Sequence, residues 1–139
     1  MSRELAEKGI VTPIALAQSF LDGKGLIKGD PAEFDGEGIE QETPAEYASH
    51  NFHTGKIMVS IYESEASSVR IEGSHYDEFI QILEGRLILT PDGGEATEFK
   101  TGDSLVVPKG YVGSWEMPEK YRELIVIDTA YLEEGDNNA

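Results

Sequence analysis

Short apolar and β-branched runs alternate with turn residues from residue 51 to residue 131. In Lys56–Tyr62, the residues Ile57, Val59 and Ile61 fall on one face of a strand, because strand side chains alternate between faces. Seven or more short strands at this spacing predict an all-β sandwich or barrel. The predicted strands are Lys56–Tyr62, Val69–Glu72, Glu78–Leu83, Arg86–Thr90, Thr97–Lys100, Ser104–Val107 and Arg122–Ile127.

A short helix is predicted before the barrel, over Pro13–Leu21. Thr12 suits its N-cap, and Pro13 suits the first helical position, where a missing amide hydrogen costs nothing. Asp22 and Gly23 would end the helix, because glycine readily adopts the left-handed conformation found at helix C termini.

The stretch from Gly23 to Ser49 is rich in glycine, proline and acidic residues. This composition predicts an extended arm that crosses a sheet or reaches a second subunit, and a partly disordered segment is an equally good interpretation. The chain therefore divides into an N-terminal arm with the helix and loops (1–50), a β-barrel (51–131) and a disordered tail (132–139).

The net charge of −16, from 27 acidic and 11 basic residues, narrows the range of partners. Such a surface repels phosphate backbones and anionic lipid, so neither a nucleic-acid nor a membrane partner is expected. The chain contains no cysteine, which excludes disulfides, thiolate metal sites and a cysteine nucleophile. No secretory signal or membrane span is recognisable either, and we predict a cytoplasmic protein.

Two segments of the barrel region carry a recognisable spacing. Gly102 leads into a strand, Pro108 ends it and Gly110 permits a tight turn, while Glu78 lies seven residues before Gly85. These spacings resemble the two halves of the cupin signature. The resemblance implies a single RmlC-like jelly-roll barrel, so the fold class we expect is all-β.

Three segments narrow the resemblance to one branch of cupins: Tyr76–Phe79, Ile82–Gly85 and Gly113–Glu116. They are similar to the branch of the (S)-ureidoglycine aminohydrolases and the ethanolamine-utilisation cupins, whose members often carry a tryptophan where Trp115 stands here. The resemblance covers roughly residues 55–128. It implies a role in the catabolism of nitrogen-rich metabolites and a homodimer, formed through an edge strand or the arm.

Most of the cupin metal ligands are missing from this chain. Gly113 stands where the family has its last histidine, and Glu78 stands at the position of the metal-binding glutamate. The positions of the other two histidines hold Glu72 and Ser74, or Ile71 and Gly73, depending on the family spacing used. Two carboxylates alone would hold a divalent ion weakly. We therefore predict no tightly bound metal and no other cofactor.

Glu78 and His75 are the predicted catalytic residues. A carboxyl group that faces a barrel interior is costly to ionise, so its pKa should rise, which suits a general acid or base. His75 would complete a proton-transfer pair if the chain turns just before it. Two alternatives stay open: a structural Glu78 paired with Arg70 or Arg122, and a His75 that is only a loop residue at the barrel mouth.

The predicted ligand-binding residues are Trp115, Tyr62, Glu72, Gln81 and Tyr76. Aromatic rings and acidic groups around a mouth would favour a cationic or neutral polar ligand over an anion. The competing interpretation assigns the aromatic residues to the core and Glu72 to an exposed strand face.

The sequence thus predicts a cupin that binds a small molecule and acts on or senses a polar, nitrogen-containing metabolite. A non-catalytic binding or accessory module would use the same pocket without a shifted pKa. A divalent-metal-dependent enzyme resembling the aminohydrolases is the third possibility, and it would need an unusual ligand set.

Overall fold

A computed structural model describes residues 9–30, 39–41 and 45–132 of the chain. Within these ranges the chain forms a four-residue helix, α1 (Gln18–Leu21), and eleven strands, and residues 130–132 are also helical. The strands are β1 (Ile27–Gly29), β2 (Ile39–Gln41), β3 (Tyr47–Thr54), β4 (Ile57–Ser64), β5 (Ser67–Glu72), β6 (Glu78–Glu84), β7 (Arg86–Pro91), β8 (Thr97–Lys100), β9 (Ser104–Val107), β10 (Val112–Met117) and β11 (Tyr121–Asp128).

The strands form two sheets. The six-stranded sheet has the order β1-β3-β4-β11-β6-β9, and the five-stranded sheet has the order β2-β5-β10-β7-β8. Every described pairing is antiparallel. The predicted all-β jelly roll is confirmed.

The core lies between the two sheets, where alternate residues of each strand point inward. On β6, for example, Ile80 and Ile82 are buried while Phe79 is exposed, as the two-residue period of a strand requires. The core residues are Val69, Ile71, Ile80, Ile82, Leu87, Leu89, Leu105, Val107, Trp115, Met117 and Tyr121. We call the side of each sheet that meets this core its inner face, and the other side its outer face.

All seven predicted strands are present, and each end lies within two residues of its predicted position. Strand β10 is an addition, and it lies centrally in the five-stranded sheet between β5 and β7. The predicted domain boundary at residue 50 falls inside β3, and β1 and β2 add strands to both sheets before it. Parts of the predicted arm and residues 133–139 of the predicted tail lie outside the described residues.

The predicted helix over Pro13–Leu21 is wrong in its first half, because only Gln18–Leu21 is helical and Ala17 is extended. A longer helix would have little to pack against, since Ile14 remains 54% exposed. Short helices depend on tertiary packing for their stability. The part that is helical has such a contact, because the ring of Phe20 stacks on His50 with centroids 3.6 Å apart.

No helix in the described ranges is long and apolar enough to cross a membrane.

Candidate functional site

Two glutamates face the barrel interior from neighbouring strands of the six-stranded sheet. On β11, Glu123 lies opposite Tyr62 of β4 and Ile82 of β6. On β6, Glu78 lies opposite Ile127 of β11 and Val107 of β9. Because residues directly opposite one another point to the same side of a sheet, both glutamates lie on its inner face. We refer to Glu78 and Glu123 as the carboxyl pair.

Glu123 is the more deeply buried member of the pair, with 2% of its surface exposed. The hydroxyl group of Tyr121 donates a hydrogen bond to its Oε1 over 2.6 Å. Burial raises the pKa of Glu123 to about 7, although the Tyr121 hydrogen bond favours the ionised form and acts in the opposite direction. This carboxyl group therefore titrates close to neutral pH.

Glu78 is 8% exposed, and its pKa is raised well above the ordinary value. Burial is the main cause, and the negative charge of Glu123 adds to it. The charge of Glu123 therefore makes the ionisation of Glu78 less favourable. Among the described residues, no hydrogen bond involves the Glu78 carboxyl group.

Neither arginine considered as a partner for Glu78 reaches it. Arg70 bonds Glu72 and Asp92. The guanidinium of Arg122 donates to Glu63 over 2.8 Å and to Glu84 over 2.7 Å. The structural alternative in which Arg70 or Arg122 neutralises Glu78 therefore has no support among the described contacts.

Three tyrosines surround the carboxyl pair. Burial raises the pKa of Tyr62 to about 12, with a further contribution from Glu123. Burial likewise raises the pKa of Tyr76, with Glu78 as the next cause, and the pKa of Tyr121, with Glu123 as the next cause. The phenols stay protonated at neutral pH, so they supply hydrogen-bond donors beside two acids.

The structure brings Tyr62 and Tyr76 next to the carboxyl pair but separates the other predicted residues from it. His75 lies on the exposed turn between β5 and β6, and burial and Glu123 account for the Glu78 pKa without it. Trp115 is 9% exposed and belongs to the hydrophobic core. The charged group that influences the pKa of Glu78 is Glu123, and a catalytic role for His75 remains a prediction.

Gln81 and Glu72 point away from the interior. Gln81 pairs with Leu124 on the outer face, three positions from Glu78 and therefore on the opposite side of β6. Glu72 is ion-paired with Arg70, and its side chain is 43% exposed. Neither side chain is placed to line the site that contains Glu78.

The residues at the cupin metal positions do not fit a metal ion. Ser74 Oγ donates to the carbonyl oxygen of Pro108 and accepts from the amide of Tyr111, so it serves the turn of the chain. A Cβ atom at Gly113 would stand 2.3 Å from the carbonyl oxygen of Thr90, which leaves no room for a histidine. In the described part of the chain, no three histidine, aspartate or glutamate side chains converge to hold an ion.

Two surface clefts formed by described residues lie away from the carboxyl pair. The larger, about 620 Å³, is at the opposite end of β6 from Glu78, and a smaller one of about 60 Å³ adjoins Tyr47 and Ser64. In the larger cleft, Arg86 is already bonded to Glu98 and Glu119. We place the candidate site at the carboxyl pair, because unusual ionisation and burial coincide there. The larger cleft is lined by Glu84, Gly85, Arg86, Lys100, Thr101, Glu119 and Lys120.

Sequence reasoning missed Glu123, although the pattern along β11 contains a sign of it. Tyr121, Glu123 and Ile127 occur at odd positions, and the structure buries all three. An acidic residue in step with apolar ones on a strand is expected to face the core.

Comparison with known families gives a match over most of the barrel. The family described as EutQ-like cupin domain matches residues 53–123. None of the curated proteins matches the chain.

Solved structures share the fold at low sequence identity. The EutQ protein of Clostridium difficile is 18% identical, with a TM-score of 0.54 over 60% of this chain and 68% of that one. A protein of unknown function from Pseudomonas syringae pv. tomato is 18% identical, with a TM-score of 0.63 over 73% of this chain and 43% of that one. The polyketide cyclase RemF of Streptomyces resistomycificus is 20% identical, with a TM-score of 0.51 over 59% of this chain and 64% of that one.

Proposed function

Because this chain belongs to the family of EutQ-like cupin domains, we propose that it binds a small, polar, nitrogen-containing metabolite inside its barrel and acts on it or senses it. Fold alone does not assign a reaction, since cupins and other common folds host many chemistries. The proposal depends on one observation, the buried carboxyl pair Glu78 and Glu123 on the inner face of the six-stranded sheet.

The charge of the site favours a cationic ligand. Two acids share the interior, and the pKa of neither one is affected by a lysine or arginine among the described residues. An ammonium group between them would relieve their mutual repulsion and gain charge-assisted hydrogen bonds. The tyrosine rings add surfaces that attract cations and hydroxyl groups that bind polar atoms.

The carboxyl pair also suits proton transfer. Burial raises the pKa of Glu123 to about 7, and burial and the charge of Glu123 both raise the pKa of Glu78, so Glu123 is suited to exchange a proton near neutral pH. A general acid or base works best when its pKa is near the working pH. If the protein is an enzyme, Glu78 and Glu123 are the proposed catalytic residues, and His75 remains an exposed residue near the opening.

A binding or accessory module without catalysis is the second candidate. Within residues 9–30, 39–41 and 45–132, no group of three histidine, aspartate or glutamate side chains that could hold a catalytic metal ion is found, and ligand binding by the carboxyl pair needs no such group. Such a module would still bind the ligand but would show no turnover. The metal-dependent alternative receives no support, because Ser74 and Gly113 do not fit as ligands.

Calorimetry with a panel of small molecules tests the proposal. The panel would pair primary amines with alcohols of the same size and with carboxylic acids. We expect heat of binding from an amine, and a release of protons that changes the observed enthalpy between two buffers of different ionisation enthalpy. Proton release follows because a cation binds the ionised form of the pair.

Matched variants locate the binding. Glu78→Gln and Glu123→Gln should each weaken amine binding about tenfold or more, since each removes a charged partner. Glu116→Gln is the control, because Glu116 is exposed on the outer face of β10. If the wild-type protein and all three variants bind the amine equally well, the carboxyl pair is not the binding site.

Two further parts of the proposal concern the setting of the protein. We propose a cytoplasmic location, which fractionation of the source cells would test. We also propose that no metal is required, and an ion found in stoichiometric amount by elemental analysis of the purified protein would overturn this.

A further inference from the structure

Tyr76 comes two residues before Glu78 in the chain, and the two side chains interact electrostatically. It lies in the bend that leads into β6, separated from Glu78 by Asp77. Glu78 is the largest electrostatic influence on the Tyr76 hydroxyl, followed by Tyr131. Tyr76 is half-buried, whereas Glu78 two residues later is only 8% exposed, so the tyrosine is nearer to solvent than the carboxyl group.

The ring of Tyr131 covers Tyr76 in turn. The two ring centroids are 4.9 Å apart with an interplanar angle of 45°, within the range in which aromatic pairs attract each other. Tyr131 belongs to the turn after β11, and the rest of this turn is fixed to the barrel. The amide of Thr129 donates to the carbonyl oxygen of Lys56 over 3.1 Å, and the amide of Leu132 donates to the carbonyl oxygen of Thr129 over 3.0 Å.

The other side of the same barrel end is closed by the backbone. The amide of Gly110 donates to the carbonyl oxygen of Ser74 over 2.9 Å, and the amide of Gly73 donates to the carbonyl oxygen of Tyr111 over 3.0 Å. The amide of Lys109 donates to Asp77 over 2.8 Å. An opening there would break several backbone hydrogen bonds, whereas an opening at the tyrosines requires only the rotation of two side chains.

We propose that Tyr76 and Tyr131 form a two-ring cover over Glu78, and that a ligand enters the barrel by displacing these rings. This inference rests on the proposed function, because it assigns the entrance of the same site. It also adds Tyr131 as a residue that controls access and that can contact the ligand through its ring face. Both residues are half-buried, so part of each side chain meets solvent.

Chemical labelling of the Glu78 carboxyl group measures the cover without any ligand. A water-soluble carbodiimide and glycine methyl ester convert an accessible carboxyl group to an amide, and peptide mass spectrometry gives the rate at each residue. We expect slow labelling of Glu78 in the wild-type protein and fast labelling of exposed Glu116. Tyr131→Ala and Tyr76→Ala should each speed the labelling of Glu78 by about two- to tenfold, the factor that corresponds to losing an aromatic pair.

Two matched variants separate the cover from a general loosening of the fold. Tyr131→Phe keeps the ring and should label at the wild-type rate. Leu132→Ala changes the next residue of the same turn, which is 46% exposed, and should also label at the wild-type rate. Tyr131→Ala removes a half-buried side chain near the end of the described chain, so this variant is expected to fold, with near-native circular dichroism as the check.

The outcomes are distinct from those of the ligand experiment. Unchanged labelling of Glu78 in both folded alanine variants overturns the cover, as does an equal increase in Leu132→Ala. If labelling is faster in the alanine variants but no amine binds, the cover is supported and the proposed ligand class is wrong.

Discussion

Glu78 and Glu123 lose nearly all contact with water when the barrel forms. In the unfolded chain both acids ionise at an ordinary pKa, whereas in the folded chain they keep their protons to higher pH. The stability associated with them is therefore fully present below the unfolded pKa and is lost as pH rises through the folded pKa. For Glu123 this window runs from 4.5 to about 7.

Replacing Glu123 with glutamine should flatten this pH dependence. We expect the Tm of the wild-type protein to fall between about pH 5 and about pH 8, and Glu123→Gln to be more stable at the upper end by about 1 to 3 kcal/mol. The glutamine oxygen still accepts the Tyr121 hydrogen bond, so only the charge changes. Calorimetric melts across this range measure the effect.

A surface variant controls for the repulsion among the many other acids of the molecule. Glu116→Gln removes one negative charge from an exposed position and should keep the wild-type slope. If Glu123→Gln and Glu116→Gln show the same dependence of Tm on pH, the burial of Glu123 is not the cause of the fall in Tm.

At the scale of elements, strands β7 and β10 approach closely at Gly113. This close approach explains why glycine stands where the cupin signature has its last histidine. Gly113 lies opposite Pro91, and an added Cβ would press against the Thr90 backbone at 2.3 Å. Gly113→Ala should cost about 2 kcal/mol or more through overpacking. Gly94→Ala is the control, because its nearest neighbour is the edge of the Pro91 ring, and it should cost much less in urea unfolding.

The attachment of α1 to the barrel is a second feature at this scale. Arg122 Nε donates a hydrogen bond to the carbonyl oxygen of Leu21 over 3.0 Å, and its Nη1 donates to both Glu63 and Glu84. Gly23 lies against this group, since a Cβ there would be 2.7 Å from the guanidinium. One half-buried arginine thus joins the N-terminal segment to β4, β6 and β11.

Arg122→Ala should release this segment. We expect a loss of about 2 to 4 kcal/mol, because two acids lose a half-buried partner, and faster hydrogen exchange at the amides of Asp22 and Lys24, which are bonded within the α1 turn. Arg86→Ala is matched, since Arg86 also binds two glutamates but is 44% exposed, and it should cost less than about 1 kcal/mol. Equal losses would show that the Arg122 group has no special role.

At the scale of the whole molecule, an apolar row crosses the outer face of the six-stranded sheet. Val59, Val126, Phe79 and Val106 are direct neighbours on four adjacent strands. Phe79 is 41% exposed and Val106 is 61% exposed. The homodimer expected from the cupin resemblance remains a prediction, and this row is the surface on which we would place it.

Sedimentation velocity tests the predicted dimer. We expect the wild-type protein to sediment as a dimer and Phe79→Lys to shift it towards the monomer, because a charge would be buried in the contact. Glu116→Lys, on the outer face of the other sheet, should leave the dimer intact. A wild-type protein that sediments only as a monomer would refute the prediction.

The local pattern determined most of what is known of the barrel. Strand positions follow from an alternation that needs only neighbouring residues, so Glu78–Leu83 and Ser104–Val107 were predictable. The same alternation would have placed Gln81 on the outer face and Glu123 on the inner face, had it been applied to polar residues as well. The resemblance to cupins rests on the spacing of Gly102, Pro108 and Gly110, and these backbone requirements are local too.

Tertiary structure alone decided how the site is composed. Glu78 and Glu123 are far apart in the chain, and only the register of β6 against β11 brings them to one face of one sheet. The shifted pKa values follow from burial, which depends on both sheets. The cover over Glu78 depends in turn on the place where the chain emerges from β11, which sets Tyr131 against Tyr76. A sequence specifies which residues are acidic or aromatic, but the distances between residues remote in the chain, and hence their chemistry, come from the fold.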